Sequence, residues 1–271
     1  MDITLTDVQQ VVEYGSLRAY RYPALAGATH AVFTRRGGVS PPPWNGLNMG
    51  LSVGDAPENV TANVALACRA LGIDPAATAS CKLVHGNRVV VARQSREPQF
   101  LEQADAIISA APGVFLTMRF GDCVPLLFFD PANGVVGLAH AGWRGTVKNV
   151  TGAVAAAMKR RFGSKPANIR LVIGPSIGPC CYRVQRDVLR AAQQTFDAPD
   201  AFFQRRNGDM YFDMWRANAH QARQAGLGAV TQSNLCTACR TGEFFSHRAE
   251  GGKTGRFGVF VGLPAAGAPR R

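Results

Sequence analysis

The sequence has no run of about 18 or more uncharged apolar residues, which argues against a membrane-spanning helix. Its first ten residues lack a basic segment followed by an apolar one, so we expect no secretory signal there. The seven cysteines are odd in number and scattered, unlike those of a small disulfide-bonded secreted scaffold. We therefore predict a cytoplasmic protein with reduced cysteines and no membrane partner.

Acidic residues are also scarce, since 18 Asp and Glu face 30 Lys and Arg and give a net charge of +12. Such an excess is typical of proteins that bind nucleic acid, anionic membrane surfaces or anionic substrates. The basic residues are dispersed, however, and no motif interleaves them with aromatic residues. The pattern favours a solvated basic surface over nucleic-acid binding, and a non-enzymatic basic binding module stays as an alternative hypothesis.

The most informative stretch is a predicted hairpin in the middle of the chain. Two apolar runs, residues 124–129 and 135–139, flank a Pro-Ala-Asn-Gly turn, which is a strong hairpin signal. Such a hairpin places Cys123 and His140 at neighbouring corners of one antiparallel pair. A thiol beside an imidazole indicates either a nucleophile with its base or two ligands of a soft metal.

A second histidine, His85, lies between two predicted strand segments and is followed by a glycine that permits close backbone approach. His85, Cys123 and His140 together form a three-ligand set with one open position, which is typical of catalytic zinc; copper accepts the same ligands. The alternative is a metal-free cysteine hydrolase, in which Cys123 is the nucleophile, a histidine is the base and Asp122 orients it. The residue types alone leave both hypotheses open.

Two further features predict anion contacts. A helix is predicted over residues 146–162, and its N-terminus beside His140 and Arg144 favours phosphate. Arg35 lies in a loop rich in glycine and proline, where it is either an anion contact or an exposed turn arginine.

One Cys-x-x-Cys spacing, Cys236 with Cys239, is half of a zinc site. The sequence offers no second pair with that spacing. We therefore interpret these two cysteines, and the adjacent Cys180 and Cys181, as structural.

Several motifs resemble those of the YfiH family, once described as multicopper polyphenol oxidases (laccases) and now understood as purine nucleoside phosphorylases. The resemblance extends over most of the chain, from about Phe33 to Leu263. Its most specific elements are Asp-Cys-Val-Pro and His-Ala-Gly-Trp-Arg-Gly. The motifs lie in the family's order at residues 83–86, 121–127, 140–146, 174–182, 236–239, 245–248 and 254–256.

The resemblance implies an α+β fold: a single domain over residues 1–263, with four α/β/β/α layers and mixed β-sheets. From its composition, the tail of residues 264–271 is predicted to be disordered. The resemblance also implies a metal, usually zinc, held by His85, Cys123 and His140. The implied reactions are phosphorolysis of adenosine, inosine and methylthioadenosine to free base and ribose 1-phosphate, with adenosine deamination as a second activity. Purine nucleosides and phosphate are then the partners, and the chain is a monomer or homodimer.

The remaining site predictions concern charge and substrate contacts. Arg35, Arg144 and Arg248 are candidates for binding phosphate. Asp122 is either an acid/base group or a residue that orients an imidazole. Asn48 and Ser246 are ribose or base contacts by resemblance only. A copper-dependent polyphenol oxidase stays as an alternative, although five histidines are few for a multicopper centre.

The chain departs from the family pattern at three places. It has Leu83 where glutamine is more common and Gly121 where alanine is more common. It also has His247 and Ala249 in a segment where the family shows Ser-Tyr-Arg-Arg. None of these is a predicted metal ligand, and the last lies among the predicted substrate contacts, so it bears on nucleoside preference.

Overall fold

A computed structural model describes residues 8–94 and 97–265. Its helices are α1 (Pro57–Leu71), α2 (Trp143–Val147), α3 (Val150–Phe162), α4 (Arg186–Gln193) and α5 (Met214–Gln224). The first eight strands are β1 (Gln10–Tyr14), β2 (Leu17–Arg21), β3 (Thr29–Phe33), β4 (Thr78–Lys82), β5 (Val89–Val91), β6 (Gln99–Gln103), β7 (Ala106–Ser109) and β8 (Phe115–Phe120). The other eight are β9 (Val124–Asp130), β10 (Val135–Ala141), β11 (Arg170–Ile173), β12 (Arg183–Val184), β13 (Phe203–Arg206), β14 (Asp209–Phe212), β15 (Ala229–Gln232) and β16 (Phe257–Gly262).

The strands form two large mixed sheets and one small sheet. The seven-stranded sheet has the order β1-β2-β3-β16-β8-β4-β6, and the six-stranded sheet has the order β15-β11-β9-β10-β7-β5. Both contain antiparallel and parallel pairs, because β4 runs parallel to β6 and β8 while β5 runs parallel to β7. The small antiparallel sheet has the order β12-β14-β13.

The layers follow from where the apolar side chains meet. Leu116 and Val259 of one large sheet pack with Leu127 of the other in a core between the sheets. Helix α1 covers the outer face of the seven-stranded sheet, where Cys68 joins a cluster with Phe33. Helices α3 and α5 cover the outer face of the six-stranded sheet. The protein is thus a single α/β/β/α domain with mixed sheets, which confirms the predicted fold class.

The central hairpin is also confirmed. Strands β9 and β10 are antiparallel, and their register pairs His140 with Pro125 and Ala141 with Val124. Every residue of both strands is buried, because β9 and β10 are inner strands of a sheet covered on both faces. Cys123 precedes the first strand and His140 is the penultimate residue of the second, so both lie at the same end of the hairpin.

One predicted helix is in fact two. The helix expected over residues 146–162 is divided between α2 and α3, because Asn149 adopts a left-handed conformation with φ of 57°. The Asn149 side chain accepts a hydrogen bond from Gly152 N and caps the second helix. Helix α2 therefore has only five residues, and the anion site predicted at its N-terminus stays a prediction.

The described part of the chain has no helix that is both long and apolar enough to cross a bilayer. The boundary of the domain at residue 263 stays a prediction. Residues 266–271 of the predicted disordered tail lie outside the described residues.

Candidate metal centre

The structure brings His85, Cys123 and His140 together. Their ligand atoms all lie within 4.8 Å of one another, and the two imidazole rings meet edge to face with centroids 5.1 Å apart. His140 is buried, Cys123 is half-buried and His85 is exposed. The group therefore opens to solvent on the side of His85, as a site that admits substrate requires.

A fourth residue, Asp105, holds this arrangement and was missed by the sequence analysis. Its fully buried carboxylate lies 3.1 Å from His140 Nδ1 and accepts hydrogen bonds from His85 N and Gly86 N at 2.9 and 2.7 Å. With Nδ1 donating to Asp105, Nε2 of His140 is the nitrogen that would release its proton and bind a metal. The carboxylate also fixes the backbone of His85, whose φ of 57° is unusual for a residue with a side chain.

Gly142 leaves the room that the three side chains need. A Cβ atom at this position would lie 3.0 Å from Cys123 Sγ and 3.3 Å from His85 Cδ2. Any larger residue there would press directly on two of the three ligands.

The charges of the group favour a thiolate. Burial alone raises the pKa of the Cys123 thiol, but the neighbouring His140 and His85 outweigh it and lower the pKa to about 6. Burial likewise lowers the pKa of His140, yet the Cys123 thiolate and the Asp105 carboxylate raise it to about 9. The thiolate is the form that binds a metal, so two imidazoles and one thiolate, with one imidazole held by a carboxylate, fit a zinc-like ion.

Asp122, next to Cys123, contacts neither imidazole. One of its carboxylate oxygens accepts hydrogen bonds from Thr237 Oγ1 and Ser246 Oγ, both at 2.7 Å, and the other accepts from Arg248 N at 2.6 Å. The imidazole-orienting contact that the sequence suggested for Asp122 is made by Asp105. Asp122 instead joins the start of β9 to two loops, and the hydroxyl of Ser246 is occupied in the same contact.

Two exposed arginines and a tyrosine border the same centre. Arg248 lies over the ring of Tyr182, with its guanidinium carbon 5.3 Å from the ring centroid, and Arg144 lies over its neighbour Trp143 at 4.3 Å. Burial raises the pKa of Tyr182 most, the charges of Cys123 and Asp122 raise it further, and those of Arg248 and Arg144 lower it. Tyr182 thus lies within electrostatic reach of all four groups.

The structure does not place Arg35 or Asn48 in this group. The Arg35 guanidinium donates to Glu250 Oε1 and Thr241 O, both at 2.8 Å, so its charge is already compensated. Asn48 is fully buried, and its side-chain oxygen accepts from Gly50 N at 2.9 Å and from Arg256 N at 2.8 Å. Both residues hold loops in place.

Arg256 is a second residue that the sequence analysis did not single out, although it lies in one of the quoted motifs. Burial lowers the pKa of its guanidinium, while the charges of Cys123, Asp122 and Glu250 raise it. A Cβ atom at Gly121 would lie 2.9 Å from Arg256 Cδ, so the chain has room for this side chain beside Cys123. The glycine that departs from the family pattern therefore has a physical reason.

A second group of metal-binding side chains occurs among the described residues. It consists of Cys180, Cys181, Cys236 and Cys239, whose sulfur atoms all lie within 4.8 Å of one another. Only the Cys236 and Cys239 half has a spacing that indicates a metal site in the sequence.

With this geometry established, comparison with known proteins decides the family. A family model described as multi-copper polyphenol oxidoreductase laccase matches residues 29–264. The chain belongs to this family. The predicted resemblance to YfiH is confirmed, because a protein named purine nucleoside phosphorylase YfiH from Escherichia coli is 32% identical over 244 residues, which cover 90% of this chain and 97% of that protein.

Other members of the family agree. A purine nucleoside phosphorylase from Deinococcus radiodurans is 38% identical over 90% of this chain and 92% of its own length. Purine nucleoside phosphorylase YlmD from Geobacillus stearothermophilus is 35% identical over 95% of this chain and 98% of its own. The crystal structure of that YlmD has a TM-score of 0.89 to this chain, covering 95% of it and 99% of YlmD at 33% identity. The crystal structure of Bacillus licheniformis YfiH has a TM-score of 0.88, covering 93% and 98% at 32% identity.

Proposed function

We propose that this protein is a metal-dependent purine nucleoside phosphorylase. Its substrates are adenosine, inosine and methylthioadenosine, which react with phosphate to give the free base and ribose 1-phosphate (methylthioribose 1-phosphate from the last). The observation that carries the proposal is the convergence of His85, Cys123 and His140 beside exposed arginines. Relatives named purine nucleoside phosphorylase at 31–38% identity support the same reaction.

The metal is held by His85 Nε2 or Nδ1, Cys123 Sγ and His140 Nε2 in this proposal. Zinc fits the donor set best, and copper accepts the same ligands. When bound, the metal supplies a Lewis acid that polarises a substrate group or activates water. Asp105 keeps the His140 nitrogen in the correct orientation and increases its basicity.

Phosphorolysis exchanges one bond at the anomeric carbon of the sugar. The bond to the purine nitrogen breaks, a bond to a phosphate oxygen forms, and the base leaves with a proton that balances the one lost by hydrogen phosphate. Arg144 and Arg248 are the side chains that hold the phosphate in this proposal. Both are exposed; Arg144 follows the ligand His140 by four residues, and Arg248 N donates to Asp122, which precedes the ligand Cys123. Arginine suits this role since its planar fork of donors matches phosphate oxygens.

Adenosine deamination is the second activity in the proposal. It replaces the 6-amino group of the purine by a water oxygen and releases ammonia, so it needs water but no phosphate. In this proposal both reactions use the same centre, but phosphate attacks the anomeric carbon of the sugar whereas water attacks the purine carbon that carries the amino group.

A multicopper oxidase is disfavoured by the positions of the other histidines. His30 is buried and binds Tyr22 N and Ala28 O, while His220 packs against Phe202. His247 lies against Arg256 at 3.4 Å. Among the described residues, which include all five histidines, only His85 and His140 converge, and two imidazoles are too few for several copper ions.

The test is to incubate the purified protein with adenosine, with and without phosphate, and to measure the products. We expect ribose 1-phosphate only with phosphate, in an amount equal to adenine and hypoxanthine together, and inosine in either case. Removal of the metal by a chelator stops both reactions and its return restores them. A metal-free cysteine hydrolase would keep its activity in the chelator, and a nucleic-acid-binding module would form no product at all.

A further inference from the structure

Four cysteines from two distant parts of the chain meet at the surface of the protein. Cys180 and Cys181 follow β11 in a loop, and Cys236 and Cys239 lie in the loop after β15. Cys236 is buried, Cys181 is half-buried, and Cys180 and Cys239 are exposed. All four are free thiols, and none belongs to the centre at His85.

The sulfur positions match a tetrahedral metal site. Cys239 Sγ lies 3.5 Å from Cys180 Sγ and 3.4 Å from Cys181 Sγ. Four sulfurs at about 2.3 Å from a zinc ion lie about 3.8 Å from one another, so the observed contacts need little adjustment. A disulfide requires about 2.05 Å, well below either distance. Thiols are weak hydrogen-bond partners for each other, whereas four thiolates are a strong ligand set for a soft cation.

The fold holds the two loops in the required register before any ion binds. Ser176 and Cys236 form a parallel β-bridge, with Ser176 N donating to Leu235 O and Thr237 N donating to Ser176 O. Gly178 N donates to Cys236 Sγ at 3.2 Å, which is the kind of backbone contact that supports a metal-bound sulfur. Arg240 N donates to Cys236 O and closes the Cys-x-x-Cys turn.

We propose that Cys180, Cys181, Cys236 and Cys239 bind one zinc ion in a closed tetrahedral site. All four positions are filled by protein sulfur, so the ion is structural, in contrast to the open centre at His85. Binding displaces the thiol protons to solvent and involves no oxidation. The proposal does not depend on the proposed phosphorylase activity.

The ion would tie together two loops that reach the candidate active centre. Thr237, next to Cys236, donates to Asp122, which precedes the ligand Cys123. Tyr182, next to Cys181, lies under Arg248, and Arg248 Nη1 donates to Arg183 O at 2.8 Å. Loss of the structural zinc is therefore expected to loosen the wall of the active centre without removing its ligands.

The experiment is a count of metal ions per chain by elemental analysis of the full-length protein purified without chelator. We expect two zinc ions in the wild type, one in the double variant Cys236→Ser with Cys239→Ser, and one in the double variant His85→Ala with His140→Ala. Cys68→Ala is the matched control, because Cys68 lies on the buried face of α1 and belongs to neither group. It should keep both ions.

A second measurement does not depend on the folding of the serine variants. Cobalt is loaded into the His85→Ala, His140→Ala double variant, which keeps all four cysteines of the proposed site. Intense thiolate-to-cobalt charge-transfer bands, lost on adding zinc, are expected.

Four results overturn the proposal. In the elemental analysis, they are a wild type with a single zinc that is lost in the histidine variant, or iron in place of zinc. The other two are a cobalt spectrum without charge-transfer bands and an intact mass two hydrogens lower than expected, which would show a disulfide. If the four-cysteine zinc site fails any of these tests, the phosphorylase proposal is unaffected, since that proposal concerns the centre at His85, Cys123 and His140.

Discussion

Asp105 and His140 are joined by two hydrogen bonds, one from His140 N to Asp105 O at 2.8 Å and one between His140 Nδ1 and Asp105 Oδ1 at 3.1 Å. The same carboxylate accepts hydrogen bonds from His85 N and Gly86 N. One buried side chain therefore sets the positions of two of the three candidate ligands, although it binds no metal itself.

Asp105→Asn is expected to weaken metal binding at the three-ligand centre by about 10- to 100-fold, the usual effect of losing such a partner. The asparagine side chain has no negative charge, and its NH₂ group cannot accept the hydrogen bond that one of the two backbone donors, His85 N or Gly86 N, gives to the carboxylate. Metal titration of the apoprotein measures the change. Asp130→Asn is the matched control, because this buried carboxylate accepts from Ala132 N at the opposite end of the same hairpin. An affinity that falls equally in both variants would contradict the assigned role of Asp105.

Gly142→Ala is expected to reduce metal binding while leaving the fold intact. The φ of Gly142 is −70°, so alanine meets no backbone strain, but its Cβ would press on Cys123 Sγ and His85. Gly242→Ala is the control, since a Cβ there has no neighbouring atom within 4 Å. Metal content and thermal unfolding of the two variants are measured side by side. A Gly142→Ala protein with full metal content would show that the ligands have more room than the structure indicates.

Arg144→Ala and Arg248→Ala are expected to raise the KM for phosphate at least several-fold, because each removes a donor of charge-assisted hydrogen bonds. Deamination, which needs no phosphate, should change much less. Arg160→Ala, at an exposed position in α3, is the control for the loss of one positive charge. Equal phosphate KM values in all three variants would remove both arginines from the phosphate site.

Protonation of His30 is expected to make the free energy of unfolding depend on pH, independently of the metal centre. Burial lowers the pKa of His30 to about 4, although the hydrogen bond between its Nδ1 and Ala28 O opposes this shift. The unfolded state binds the proton more readily than the folded state. The contribution of neutral His30 to the free energy of unfolding is therefore complete above about pH 6.5 and declines as the pH falls toward 4. Its upper limit is about 3 kcal/mol.

Urea unfolding of the wild type and of His30→Gln at pH 7, 5.5 and 4.5 measures this contribution. The difference in stability between the two proteins should shrink as the pH falls. A constant difference over this range would show that His30 does not titrate as described.

Local patterns were enough to predict the hairpin and its consequences. Neither strand alternates apolar and polar residues, but two apolar runs around an Asn-Gly turn already determine which strand ends lie together. The proximity of Cys123 and His140 follows from that pairing. Helix α1 has local signals of the same kind, with a proline in its first turn and Gly72, which caps it in the left-handed conformation.

The features that the sequence did not show depend on contacts between distant segments. Asp105 looks like an ordinary strand-end residue until the loop of His85 is folded over it. Cys180 and Cys181 have no zinc-type spacing, and they become partners of Cys236 only through the bridge at Ser176. The break at Asn149 was missed because asparagine tolerates a left-handed conformation that its neighbours do not reveal.

The most direct test compares phosphorolysis with metal occupancy of the three-ligand centre. Apoprotein is reloaded with increasing zinc, and adenine and ribose 1-phosphate formed from adenosine and phosphate are measured at each step, with His140→Ala in parallel. We predict a rate that rises in proportion to occupancy at His85, Cys123 and His140 and stays at background in the variant. Full activity in the apoprotein or in His140→Ala would contradict the account.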